Sequence, residues 1–185
     1  TQDVRPIAAI YSTFLQRAYD HIIHDAAIQH LPVVFCMDRA GIAGEDGPTH
    51  HGALDIAYLK CVQDLIVTAP KDGNELRHLL YTALDYTDGP FSIRYPKASS
   101  VNFDTKGQAE LLPIGSWEVC RKSDGNTVIL AVGPQVYDAI NAAENLMHNG
   151  IDCEVVNCRF IKPMDINYLR SIINKFQNVI TIEEG

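Results

Sequence analysis

Short apolar runs alternate along this chain with longer stretches in which apolar residues recur every three or four positions. The short runs predict strands over residues 7–11, 33–37, 65–68, 91–95, 128–132, 151–156 and 179–182. Between them, helical spacing places Ala18, Ile22 and Ala26 on one face, and Leu76, Leu79, Leu80 and Ala83 on another. Helix starts are marked as well. Thr13 with Gln16 reads as a capping box, and Asp72 with Glu75 repeats the logic. Pro134 opens a further helix that Gly150 closes, and Asp165 caps one carrying Leu169, Ile172 and Ile173. A short helix is predicted over 55–61.

Strands alternating with helices imply βαβ crossovers and parallel sheets. The period is lost over residues 96–113, where polar residues read as a linker. The fold class predicted is therefore α/β, as two consecutive parallel-sheet, three-layer units.

The loop after the second strand changes the picture most. Residues 38–52 hold four glycines, a proline, two histidines, three acids and an arginine. Glycine frees the backbone there, and a strand's carboxyl end is where α/β sheets bind ligands. Polar groups on such a loop can converge on something small.

Composition narrows the classes. A net charge of −8 without a basic run argues against nucleic acid or an anionic membrane as partner. No apolar stretch approaches the ~20 residues that span a bilayer. Five cysteines without a Cys-x-x-Cys pair read as buried small apolar residues in a reducing compartment, so a cytoplasmic location is expected and a metal site is not. Cys153 and Cys158 are spaced to face opposite sides of one strand.

The segment Gly44-Glu45-Asp46-Gly47-Pro48-Thr49-His50 resembles the thiamine-diphosphate-dependent transketolase superfamily. Residues 9–18, Asp38-Arg39-Ala40-Gly41, residues 57–61, Asn74-Glu75-Leu76-Arg77 and Arg94-Tyr95-Pro96 resemble its 1-deoxy-D-xylulose-5-phosphate synthase branch. The resemblance covers essentially the whole chain. It implies that residues 1–104 are most of a pyrimidine-binding domain and residues 105–185 the start of a C-terminal domain. It implies, too, that the diphosphate- and Mg²⁺-binding motif lies in a domain not present, that the activating glutamate falls just before Thr1, and that the piece is cut after Gly185. Alone, the segment is expected to be inactive. At full length, a homodimer is expected.

The branch condenses pyruvate with glyceraldehyde 3-phosphate after loss of carbon dioxide, using thiamine diphosphate and Mg²⁺. By the resemblance, Phe14 packs on the cofactor's pyrimidine, while Tyr11, Arg39 and Lys97 hold the substrate phosphate. Asp46 and His50 contact the acceptor's hydroxyl and the reacting carbon, histidine being suited to donate to a developing alkoxide. Arg17 matches an active-site arginine that either binds a substrate carboxylate or pairs with Asp46. His51 is expected to point away, and His21, His24, His30, His78 and His148 to lie at the surface. Lys97 departs from the family's usual arginine, keeping the charge but losing the bidentate fork.

Two alternatives remain open. A transketolase, moving ketol units between sugar phosphates, shares the 44–50 segment. A Rossmann-like nucleotide-binding module would want Gly-x-Gly-x-x-Gly or a phosphate loop, and neither motif occurs.

Overall fold

The computed structural model describes residues 4–101 and 103–184. Thr1 and Gly185, the two ends read as cuts, lie outside the described residues. The chain runs β1 (Ile7–Tyr11), α1 (Ser12–Leu15), α2 (Tyr19–His21), β2 (Val34–Asp38), α3 (Asp55–Cys61), β3 (Ile66–Thr68) and α4 (Gly73–Asp85). It continues with β4 (Phe91–Arg94), β5 (Glu118–Arg121), β6 (Thr127–Ala131), α5 (Gln135–Met147), β7 (Cys153–Asn157), β8 (Phe160–Lys162), α6 (Ile166–Ile172) and β9 (Asn178–Ile182). A 3₁₀ turn joins α1 to α2, and a π-helical segment, Ile22–Ala27, extends α2.

Two sheets form. The first has the order β1-β2-β4-β3-β8 and the second β5-β7-β6-β9. Both are parallel except at one edge, where β8 runs antiparallel to β3 and β5 antiparallel to β7. Neither antiparallel strand was legible in the sequence. Each is short and lies at an edge, where an antiparallel strand commonly joins a parallel sheet. The two units are consequently not simply consecutive, because β8 leaves the second and completes the first. Phe160 on β8 is fully buried and meets Phe91 edge-on at 6.4 Å. Burying such a ring stabilises by roughly 1.5–3 kcal/mol.

The helices bury the faces that the periodicity marks. Ile22 and Ala26 pack with Met37, Leu59 and Val67 on one side of the first sheet. Leu79 and Ala83 pack with Val34, Phe91 and Ile93 on the other. In the second sheet Cys153 joins the cluster containing Val136 and Ala139, while Cys158 joins that of Ile172 and Phe176. The two thiols do face opposite sides.

Caps follow the sequence in two places of three. Asp72 accepts from the Glu75 N–H at 2.8 Å, and Asp165 from the Tyr168 N–H at 2.9 Å. Thr13 does not cap. The helix begins a residue earlier, at Ser12, and the Thr13 hydroxyl donates to the Thr49 carbonyl at 3.2 Å. Among its described residues, segment 96–113 forms no helix or strand, yet it is strapped along α4. His78 Nδ1 accepts from the Glu110 N–H and Thr82 Oγ1 from the Leu112 N–H, each at 2.9 Å, so His78 is half-buried and not a free surface group.

A partly buried polar seam joins the units. Lys71 donates to Glu118 at 2.5 Å, and Asn157 donates to Glu75 at 2.8 Å. Burial works against the Lys71 ammonium, but the charges of Glu75 and Glu118 outweigh it and raise its pKa.

Candidate active site

The carboxyl ends of β1, β2 and β4 lie side by side, with Tyr11 in register with Asp38, and Met37 with Arg94. Tyr11 ends β1. Arg39 follows β2. Lys97 lies three residues beyond β4. This is the edge at which parallel sheets present ligand-binding groups.

Arg39 adopts φ +55°, a left-handed conformation that costs a non-glycine residue about 1 kcal/mol or more. In that conformation its guanidinium carbon sits 3.8 Å from the Tyr11 ring centroid. Arg39 Nε donates to Asp46 Oδ2 and its Nη1 to Asp38 Oδ2, both at 2.7 Å. Lys97 Nζ donates to the other Asp46 oxygen, Oδ1, at 2.7 Å. The hydrogen bond from Lys97, then that from Arg39, brings the Asp46 carboxyl down to about 2. Two cations thus converge on one carboxylate in a chain of net charge −8.

Beside them stands an aromatic group. Tyr11 and Phe14 stack with centroids 5.2 Å apart and planes 14° from parallel. His50 meets Phe14 edge-on at 5.4 Å, and its Nδ1 lies 3.1 Å from Thr49 Oγ1. Phe14 is exposed although it is a large apolar ring on an otherwise buried turn, which leaves a flat face for a planar ligand. Among the described residues, no group of three or more His, Cys, Asp or Glu side chains is placed to hold a metal ion.

The loop bearing Asp46 and His50 is closed at its neck. Gly41 N–H donates to the Gly52 carbonyl at 3.1 Å, and Gly52 N–H to the Gly41 carbonyl at 2.7 Å. His51, expected to be a bland neighbour, accepts from the Ala43 N–H at 3.0 Å and so braces the loop from within. Arg17 is exposed, with its guanidinium 5.9 Å from the Phe14 centroid. Both Asp46 oxygens bond Arg39 and Lys97, so the suggested Arg17–Asp46 pairing is not the arrangement found.

Sequence reading missed the support beneath. Asp55, fully buried at the start of α3, receives Arg94 Nε on both oxygens at 3.0 and 3.1 Å, and Ser12 Oγ at 2.9 Å. A charged residue inside the apolar run of β4 was the available signal, because a buried guanidinium demands a partner.

Two family models match the chain. Residues 1–101 match the family described as transketolase, pyrimidine binding domain, and residues 115–185 match transketolase, C-terminal domain. The chain belongs to the transketolase family. Curated relatives named 1-deoxy-D-xylulose-5-phosphate synthase include that of Aquifex aeolicus (strain VF5), 51% identical over 184 residues, which takes in 100% of this chain and 29% of the relative. That of Thermomicrobium roseum is 50% identical over 185 residues, again 100% and 29%. The chain therefore spans under a third of the length of these relatives. Among solved structures, a split-gene transketolase described as an inactive β4 tetramer superposes with a TM-score of 0.84, at 24% identity over 96% of this chain and 57% of that one. A Pichia stipitis transketolase variant, R356L, in complex with fructose-6-phosphate gives 0.83, at 20% identity over 98% and 27%. These transketolase-family members share the fold of two α/β units.

Proposed function

We propose that this chain forms the acceptor-binding part of a thiamine-diphosphate-dependent synthase. The enzyme condenses pyruvate with D-glyceraldehyde 3-phosphate, releasing carbon dioxide and giving 1-deoxy-D-xylulose 5-phosphate. The observation that carries the reading is the convergence of Arg39 and Lys97 on Asp46 beside the Tyr11–Phe14 stack. The names of relatives near 50% identity support this reaction over ketol transfer.

The electron sink for decarboxylation comes from thiamine diphosphate. This chain's residues then divide the remaining work. Phe14 offers its exposed ring to the pyrimidine. Arg39, Lys97 and the Tyr11 hydroxyl take the phosphate of the aldehyde, the two cations exchanging Asp46 for phosphate oxygens. Asp46, so released, accepts from the aldehyde's neighbouring hydroxyl. His50, with Nδ1 beside Thr49 Oγ1, keeps Nε2 to protonate the oxygen of the carbonyl under attack. In this reading Arg17, exposed with its guanidinium 5.9 Å from the Phe14 ring centroid, takes the pyruvate carboxylate.

The same reading includes Mg²⁺ bound outside this chain and a homodimer at the length of the relatives. Residues 1–104 and 105–185 form its two domains. Five free thiols fit a reducing, cytoplasmic setting.

The protein at the full length of its relatives tests this with carboxyl-labelled pyruvate, thiamine diphosphate and Mg²⁺. Release of label that is far faster with glyceraldehyde 3-phosphate supports the synthase. No release, with ketol transfer between sugar phosphates, replaces it by a transketolase.

A further inference from the structure

We propose that Glu184, from the second unit, is a positioning residue of the candidate site, holding the loop that carries Asp46 and His50. This rests on the functional reading above.

Glu184 follows β9 and makes contacts of three kinds with the first unit. Its Oε1 accepts from the Ile42 N–H at 2.9 Å. Its main-chain carbonyl accepts from Arg94 Nη2 at 2.7 Å. Its side chain also lies directly against Gly41, where a Cβ would come 2.7 Å from both Glu184 Cγ and Cδ. Gly41 has φ +77° besides, so that position is doubly reserved for glycine.

These contacts meet the neck of the site loop. Gly41 bonds Gly52 in both directions, and Gly52 in turn lies against Ser12, where a Cβ would approach Oγ to 2.4 Å. Ser12 bonds Asp55, and Asp55 bonds Arg94. Glu184 thereby closes a ring through Ile42, Gly41, Gly52, Ser12, Asp55 and Arg94. Each member adjoins a site element. Ser12 follows Tyr11, the loop holds Asp46 and His50, and Arg94 stands three residues before Lys97.

Rigidity follows from burial. Asp55 and Arg94 are screened from water, where an ion pair tolerates little displacement because a broken bond leaves a charge uncompensated. The Glu184 carbonyl satisfies the second arm of that guanidinium. A charged acceptor on the Ile42 N–H is stronger than a neutral one. The second unit therefore contributes to the site's geometry through Glu184.

The experiment uses the protein at the full length of its relatives, with the variants Glu184→Ala and Glu184→Gln. Hydrogen exchange of the Ile42 amide reads the latch directly and needs no turnover. In Glu184→Ala we expect that amide to exchange about tenfold faster, the ratio one hydrogen bond supports. We also expect KM for glyceraldehyde 3-phosphate to rise about tenfold, with KM for pyruvate unchanged. Glu184→Gln, which keeps an acceptor oxygen and the side chain's shape, should restore most of both. Unchanged protection of Ile42 in Glu184→Ala overturns the proposal. So does equal damage in the two variants, or a loss of kcat with both KM values unchanged. Fast Ile42 exchange in a protein that makes no deoxyxylulose phosphate upholds the latch and overturns the reaction assigned above.

Discussion

Lys97 Nζ donates to Asp46 Oδ1 at 2.7 Å, joining positions 51 apart in sequence. Arg39 holds the other oxygen, so the carboxylate occupies the very cations assigned to a phosphate. If Lys97 is the larger cause of the lowered Asp46 pKa, Lys97→Met should raise that pKa from about 2 toward the ordinary carboxylate value. Lys97→Arg should leave it low. Carboxyl-carbon NMR of Asp46 decides this. An unmoved pKa in Lys97→Met would make Lys97 a bystander.

The direction of that shift fixes a pH dependence. Asp46 has a folded pKa of about 2, below the ordinary carboxylate value of 3.8. Its pairing therefore stabilises the loop fully above that ordinary value, and the contribution is lost as pH falls through about 2. We expect the Arg39 Nε chemical shift to be constant down to about pH 5 and to move toward its unpaired value on approach to pH 2. A change that begins near neutral pH would contradict the pairing.

Gly52 has no room for a side chain, since a Cβ would stand 2.4 Å from Ser12 Oγ and 2.5 Å from the Arg39 carbonyl oxygen. One of those neighbours is backbone and cannot swing aside. Gly52→Ala should cost about 1–3 kcal/mol in urea unfolding and displace Arg39. Gly44→Ala meets nothing within 4 Å and is limited by its φ of +58° alone, so it should cost less. Equal losses would remove the argument from close approach.

Thiol chemistry should single out Cys61. It is the exposed cysteine of the five, whereas burial raises Cys36 and Cys153, takes Cys120 to about 11 and takes Cys158 to about 12. The thiolate is the reactive form, so those four are protonated at neutral pH, with Cys36, Cys153 and Cys158 buried besides and Cys120 half-buried. A disulfide reagent under native conditions should modify one thiol quickly and the others only on unfolding. Peptide mapping would identify it. Fast labelling of Cys120 or Cys158 would contradict the packing described.

Much of this was legible in the chain. Strand β1 has the predicted bounds, and the other parallel strands lie within two residues of theirs, because runs such as Phe35-Cys36-Met37 are apolar on both faces. Asp72 and Asp165 announce their helices by chemistry local to four residues. Strand β8 could not be read, because Phe160-Ile161-Lys162 is too short to show a period and pairs with a strand more than ninety positions away. The same holds at the site. Tyr11, Phe14, Arg39, Asp46, His50 and Lys97, singled out by the resemblance, lie in contact with one another at one sheet edge. Their supports did not show, since Asp55 with Arg94, and Ile42 with Glu184, are contacts between distant segments that no local spacing encodes. Thr13 misled for a related reason, its hydroxyl serving Thr49 across 36 positions in place of its own helix.

The most direct measurement compares D-glyceraldehyde 3-phosphate with unphosphorylated D-glyceraldehyde as acceptor, in the full-length protein and in its Arg39→Met and Lys97→Met variants. Truncating one charged donor to a phosphate should lower kcat/KM for the phosphorylated aldehyde by about 10–100-fold. For the unphosphorylated aldehyde it should change little, so the preference between the two acceptors collapses in each variant. A preference that survives both substitutions, with the two aldehydes losing activity in parallel, would show that Arg39 and Lys97 serve Asp46 alone and that the phosphate is held elsewhere.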